Sequence, residues 1–304
     1  MLLLQQMIIL FVYMAVGYGC AKAEKLDLEN SRTISWLVIN IANPALLISS
    51  AVNGEKGIAP DKLLEAAVLA VAMFAVLITL GWIAPRLLRV SQEEAGTYKL
   101  MTIFNNIGYM GFPVIAATYG NEALLYAAVF TLPFNILVYT YGISIVNQKS
   151  GRKTHFQWRS ILNIGVVSGS IAVILYIGDV PVPQFFKSAV SGFGNLTAPL
   201  SMLAIGISLA GIRLKELITD MKLLLFTAVK LLVIPVAGTM LVARILDNEL
   251  LCHVCMIMLA TPVASMVVML AQQYDSNFEL AAKGVALTTV LSVITIPIVS
   301  AIVF

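Results

Sequence analysis

Phe104-Asn105-Asn106-Ile107-Gly108-Tyr109-Met110-Gly111-Phe112-Pro113 lies in the middle of a long apolar run. Two amides, two glycines and a proline do not suit a straight helix. Pro113 brings no backbone donor, and its ring clashes with the preceding turn. Gly108 and Gly111 permit a bend and a close approach by another backbone. A free amide or carbonyl is costly in hydrocarbon, so such a break survives only where protein or a water-filled cavity surrounds it. One reading is a kinked packing helix with small residues at its contact. The adjacent amides Asn105 and Asn106 favour the other reading, a binding site.

A partner break follows far along the chain, at Ala260-Thr261-Pro262-Val263-Ala264-Ser265. If the two breaks cross, four half-helix ends face one cavity. The N-terminal ends carry partial positive charge and open N–H groups. That suits an anionic group such as a carboxylate. Asn105, Asn106, Thr261 and Ser265 would add neutral donors.

The chain around these breaks is membrane protein. Of 304 residues, 60% are hydrophobic and 12% are charged, about half the charged share of a soluble domain. One soluble core of this size could not hide that much apolar surface, so the expected solvent is lipid. Ten spans are expected, at about 3–21, 33–52, 63–84, 97–119, 122–146, 160–178, 187–210, 221–243, 249–273 and 279–303. Each is near the roughly 20 residues that a bilayer requires. Met1-Leu2-Leu3-Leu4-Gln5-Gln6 has no basic residue ahead of the first apolar run, which is therefore read as a retained helix.

Thirteen of the 19 basic residues fall in odd-numbered loops, among them Lys22, Arg86, Lys99, Arg152 and Lys222. The even loops hold Lys56, Lys62, Lys187 and Arg244. The bias puts the odd loops in the cytoplasm and both termini outside an inner (plasma) membrane. Five spans on each side of a cytoplasmic central loop at 147–159 give halves of opposite orientation, 1–146 and 160–304. Internal matches suggest an inverted repeat: Asn40-x3-Pro44 with Asn195-x3-Pro199, and Pro113 with Pro262. Inverted repeats of this kind bind substrate at the midplane where helices break. The expected fold is therefore an all-α integral membrane protein, a 5+5 inverted repeat with broken crossing helices 4 and 9.

Three other features bear on chemistry. Lys230 lies about eight residues, or roughly 12 Å, inside its span from Lys222. A membrane-embedded ammonium is a functional candidate by default. It either attracts an anionic substrate, or stands in for a bound cation at carbonyl ends, or snorkels to the surface. Asn40, Asn43 and Asn195 either line the cavity wall or glue helices together. No Asp or Glu lies deep in a span, which disfavours a cation antiporter.

Several classes are disfavoured. A net charge of +3 does not call for nucleic acid. No Walker loop is present, and no cofactor is expected. Cys252-His253-Val254-Cys255 lacks the second half of a metal site. An intramembrane enzyme would need buried acids or a Ser–His pair, and the histidines are His155 in a loop and His253 near a helix start. A channel or sensor remains an alternative, as does a cation- or proton-coupled carrier.

With these residues in view, the sequence resembles the auxin efflux carrier family in its compact bacterial form. Asn106, Gly111 and Pro113 look like that family's span 4 crossing. Pro262 followed by Tyr274 looks like its span 9 crossing, and Lys230-Leu231-Leu232-Val233-Ile234-Pro235 resembles its span 8. The resemblance implies a fold similar to bile acid symporters and sodium/proton antiporters. It implies a scaffold of spans 1, 2, 6 and 7 that forms a homodimer, and a transport domain of spans 3–5 and 8–10. Elevator-like motion would carry a small mono- or dicarboxylate bound beside the crossing. Asn105 stands where the plant carriers have proline, and the long central loop is absent, so auxin is not the expected substrate.

Overall fold

The computed structural model describes residues 2–54, 58–147, 162–211, 219–274 and 276–304. Gln148 and the rest of the expected central loop, including His155, lie outside the described residues, as do Lys56, Arg213, Lys215 and Asp275. Among the described residues the chain is all-helical.

The first half contains α1 (Leu2–Lys22), α2 (Leu28–Leu37), α3 (Asn43–Asn53), α4 (Pro60–Leu87), α5 (Gln92–Ile103), α6 (Phe112–Leu137) and α7 (Ile143–Asn147). The second contains α8 (Ile164–Ile177), α9 (Gln184–Gly194), α10 (Thr197–Ala210), α11 (Met221–Ala228), α12 (Ile234–Ala243), α13 (Glu249–Ala260), α14 (Ser265–Gln273) and α15 (Phe278–Val303). Polar residues mark where helices begin. Asp27, Ser91, Asn163, Asp220, Asn248 and Asn277 each accept a hydrogen bond from an amide of the first turn, satisfying donors the helix cannot.

Seven helical stretches are long and apolar enough to cross a membrane, and Ile164–Ile177 and Glu249–Ala260 are shorter apolar helices. Ten spans are expected from the sequence, and the two counts part where apolar stretches are broken. Ile107–Val146 runs 40 residues as one stretch, yet Gly120 splits it at φ 78°, ψ −166°, a conformation open to glycine. Conversely, α13 ends after 12 residues because its span is interrupted at Thr261.

Proline explains a recurring detail. Asn43, Phe112 and Ile234 each donate their amide five residues back, to the carbonyls of Val38, Ile107 and Val229. Each directly precedes a proline: Pro44, Pro113 or Pro235. Proline cannot donate to the carbonyl four residues before it and crowds that carbonyl. The helix widens by one residue to accommodate this, forming a π-helical turn.

Two sets of helices pack closely. In one, α1 packs on α10, α10 on α2, and α3 on both α8 and α9. A Cβ at Gly206 would lie 2.0 Å from the Met14 carbonyl oxygen, and one at Gly17 2.3 Å from that of Leu203. The α1 and α10 backbones therefore touch, as small residues allow between membrane helices. In the other set, α4 packs on α5 and α6, α12 on α13, and α15 on α14 and α5. Contacts of α6 with α3 and α8 join the two sets.

Candidate functional site

Both interrupted helices break where they meet. After α5, Phe104 turns extended, and after α13, so does Thr261. The two strands of chain cross antiparallel, with Asn105 opposite Val263. The amide of Asn106 donates to the Pro262 carbonyl at 2.8 Å, and that of Ala264 to the Phe104 carbonyl at 2.9 Å. This short ladder satisfies backbone groups that neither helix can. Pro262 offers only a carbonyl, and the ladder uses it.

Asn105 is a brace. Its Nδ2 donates to the carbonyls of Met258 at 2.5 Å and Leu259 at 3.2 Å, at the end of α13. Its Oδ1 accepts from the Lys230 ammonium. Lys230 also donates to the Thr102 carbonyl at 2.7 Å, at the end of α5. The lysine is fully buried, so its ammonium does not snorkel. It lies where two helix C-termini concentrate partial negative charge. Among the described residues no other charged side chain is buried.

The second crossing segment is closed on itself. Thr261 Oγ1 donates to the Met258 carbonyl at 3.0 Å. The Val263 amide donates to Thr288 Oγ1 at 3.1 Å, and that hydroxyl donates to the Gly284 carbonyl at 2.7 Å. Ser265, the first residue of α14, is half-buried.

Asn106 differs from its neighbour. Its Oδ1 accepts from the Tyr109 amide at 3.2 Å and caps the turn that leads into α6. Its Nδ2 is buried without a partner among the described residues. Across from this turn, Asn43 Nδ2 donates to the Gly108 carbonyl at 3.4 Å, and Asn43 Oδ1 is likewise unpartnered. The amide orientations follow from the chemistry: a carbonyl needs a donor and an N–H needs an acceptor. Seven other buried polar atoms lack partners among the described residues, and all are threonine hydroxyls. A helical threonine can turn its hydroxyl to a carbonyl of its own helix. Asn106 stands at the break, outside a regular helix, and Asn43 Oδ1 needs a donor, which the carbonyls of a helix cannot supply, so these two atoms call for an explanation.

The sequence-predicted residues therefore divide. Asn105, Asn106, Thr261 and Pro262 form the crossing. Gly108, Gly111 and Pro113 lie on the turn after it, and Gly111 leaves room for the Thr261 methyl, which a Cβ would meet at 3.6 Å. Asn43 and Lys230 join through hydrogen bonds. Asn40 donates to its own helix at Trp36 O, at 2.9 Å, and Asn195 is exposed where α9 ends. Among the described residues no hydrogen bond links Asn40 or Asn195 to the crossing. Sequence reasoning missed Thr102, Tyr109 and Thr288. A threonine in a helix looks like any small polar residue until the break it braces is known.

Broken helices that meet in mid-membrane recur in transporters, and comparison with known proteins points the same way. The sequence model of the family described as membrane transport protein matches residues 2–300. The chain belongs to this family, that of the auxin efflux carriers. An uncharacterized transporter of Methanothermobacter thermautotrophicus is 21% identical over 289 residues, 94% of each chain. One from Methanocaldococcus jannaschii is 23% identical over 216 residues, 68% of this chain and 69% of that protein. The uncharacterized transporter YfdV of Escherichia coli K12 is 24% identical over 213 residues, 66% of this chain and 67% of its own. The transporter is thus a multi-pass membrane protein, and its two crossing segments fall inside the matched region.

Proposed function

We propose that this protein is a secondary transporter for a small organic anion, a mono- or dicarboxylate, bound beside the crossing of its two broken helices. The observation that carries this reading is the unpartnered Asn106 Nδ2. Around it the other groups of the crossing are braced, so this donor is left for a ligand. A carboxylate oxygen would accept from it. Asn43 Oδ1 requires a donor, so an acid that also bears a hydroxyl or a protonated second carboxyl would match both amides.

Motion is supported by where these contacts lie. Asn43 belongs to the set containing α1, α3 and α10, and Gly108 leads into α6 in the other set. Tyr109 OH also reaches across, to the Ser35 carbonyl at 3.2 Å. Bonds of 3.2 and 3.4 Å are long and can be exchanged as one set slides against the other. In this reading the chain has ten spans in a 5+5 inverted repeat. The α1, α2–α3, α8 and α9–α10 set is the scaffold and dimer contact, and the rest moves as an elevator. Both termini lie outside an inner membrane.

Lys230 occupies the position at helix C-termini where carriers of related design hold a cation, so uptake is expected to be independent of sodium. The test is uptake of labelled organic acids into proteoliposomes, with and without sodium and pH gradients. Saturable uptake of a carboxylate supports the reading. Rapid, unsaturable flux of many ions would replace the carrier with a channel.

A further inference from the structure

A second group of side chains lies at the end of α4, beside the helix that leads into the crossing. Trp82 is partly exposed there, and its indole N–H donates inward to Tyr141 OH at 2.6 Å. Its ring face supports two cations. Lys99 Nζ lies 3.5 Å from the ring centroid and the Arg86 guanidinium carbon 5.9 Å from it. Arg86 spends one N–H on the Trp82 carbonyl, at 3.1 Å. Among the described residues neither Lys99 nor Arg86 forms an ion pair with a carboxylate.

Two like charges are thus gathered on one aromatic platform with no carboxylate paired to either among the described residues. Cation–π attraction holds each in place, yet the pair repels itself, so an anion between them is favoured. Among the described residues Lys99 has no hydrogen-bond acceptor, Arg86 retains most of its fork, and the Tyr141 hydroxyl, having accepted from the indole, still has its proton to donate. Three kinds of donor gathered around one indole suit a phosphate oxygen cluster. The setting names its source. Arg86 is the penultimate residue of an apolar helix of 28 residues, which places the platform at a membrane boundary. Ile83 and Leu87 beside it are exposed, Leu87 by 75%, and offer an apolar track for acyl chains.

We propose that Lys99, Arg86 and Tyr141 bind the headgroup phosphate of an anionic phospholipid on the Trp82 platform. Lys99 is on α5, four residues before that helix ends at Ile103, so a bound lipid would fasten α4 and α5 together at the membrane surface. The proposal does not depend on the identity of the transported substrate.

The test uses the full chain carrying Trp36→Phe and Trp158→Phe, so that Trp82 is the remaining fluorophore, in vesicles containing brominated lipid. Brominated phosphatidylglycerol is expected to quench Trp82 more than brominated phosphatidylcholine at equal mole fraction. Each cation near an anionic headgroup contributes roughly fivefold to the preference. Lys99→Gln with Arg86→Gln should bring the ratio of the two lipids to unity. Equal quenching in the parent chain would overturn the proposal, and so would a preference that survives the double substitution. Loss of the preference in excess soluble glycerol phosphate would assign the site to a free phosphate ester rather than a lipid.

Discussion

The two crossing segments run antiparallel through the same few ångströms, yet they are built differently. Residues 261–264 carry no amide side chain, and apart from the two ladder bonds their polar groups, the Thr261 hydroxyl and the Val263 amide, turn on their own half of the chain, to Met258 and Thr288. Residues 104–106 carry two amides and a lysine partner. One amide is fully engaged, and the other keeps a buried donor free. The contrast teaches that both segments are braced, while the free amide donor, the proposed ligand contact, falls to the first. A break that holds a ligand needs an unsatisfied group, and an unsatisfied group in hydrocarbon needs a rigid surround. Thr288 and Asn105 provide that surround, and Asn106 uses it.

The largest expected effect comes from removing the brace that both helix ends share. Lys230→Met leaves the Thr102 carbonyl and Asn105 Oδ1 without a partner, at roughly 1–3 kcal/mol for each buried group. It should lower thermal stability in detergent and abolish uptake. Lys283→Met removes an exposed pair with Glu279, worth at most about 1 kcal/mol, and should leave uptake near that of the parent. Equal and small effects of the two would show that the buried ammonium braces nothing.

Next in size is Thr288→Val, nearly the same in volume, which orphans the Val263 amide. Stability should fall by roughly 1–3 kcal/mol, while affinity per folded molecule is retained. Loss of binding with no loss of stability would move the ligand contact to the second segment. Ser265→Ala should have the smallest effect, lowering affinity by less than about tenfold, the scale of one neutral hydrogen bond. A larger loss would make the two segments equal partners in binding.

Much of this was legible in the sequence, for particular reasons. The breaks at Asn105–Pro113 and Thr261–Ser265 announce themselves because Pro, Gly and Asn have no ordinary place in mid-membrane. Lys230 announces itself because a buried charge is costly. What sequence does not carry is orientation of side chains within a turn. Asn105 and Asn106 look alike as letters, and only the three-dimensional crossing makes one a brace and the other a donor. Asn40 and Asn43 are three residues apart on the same helix, and one bends back on Trp36 while the other reaches Gly108. Gly120 is a related case, since a single φ of 78° separates two helices within one apolar stretch.

The most direct measurement is equilibrium binding of the transported acid to Asn106→Ala beside the parent chain, with folding of both checked by size exclusion and thermal unfolding. The substitution removes one cap, worth about 0.5–2 kcal/mol, so the variant should remain folded. The expected result is a folded protein that no longer binds. A folded variant that binds as tightly as the parent would contradict the assignment of the ligand to the first crossing segment.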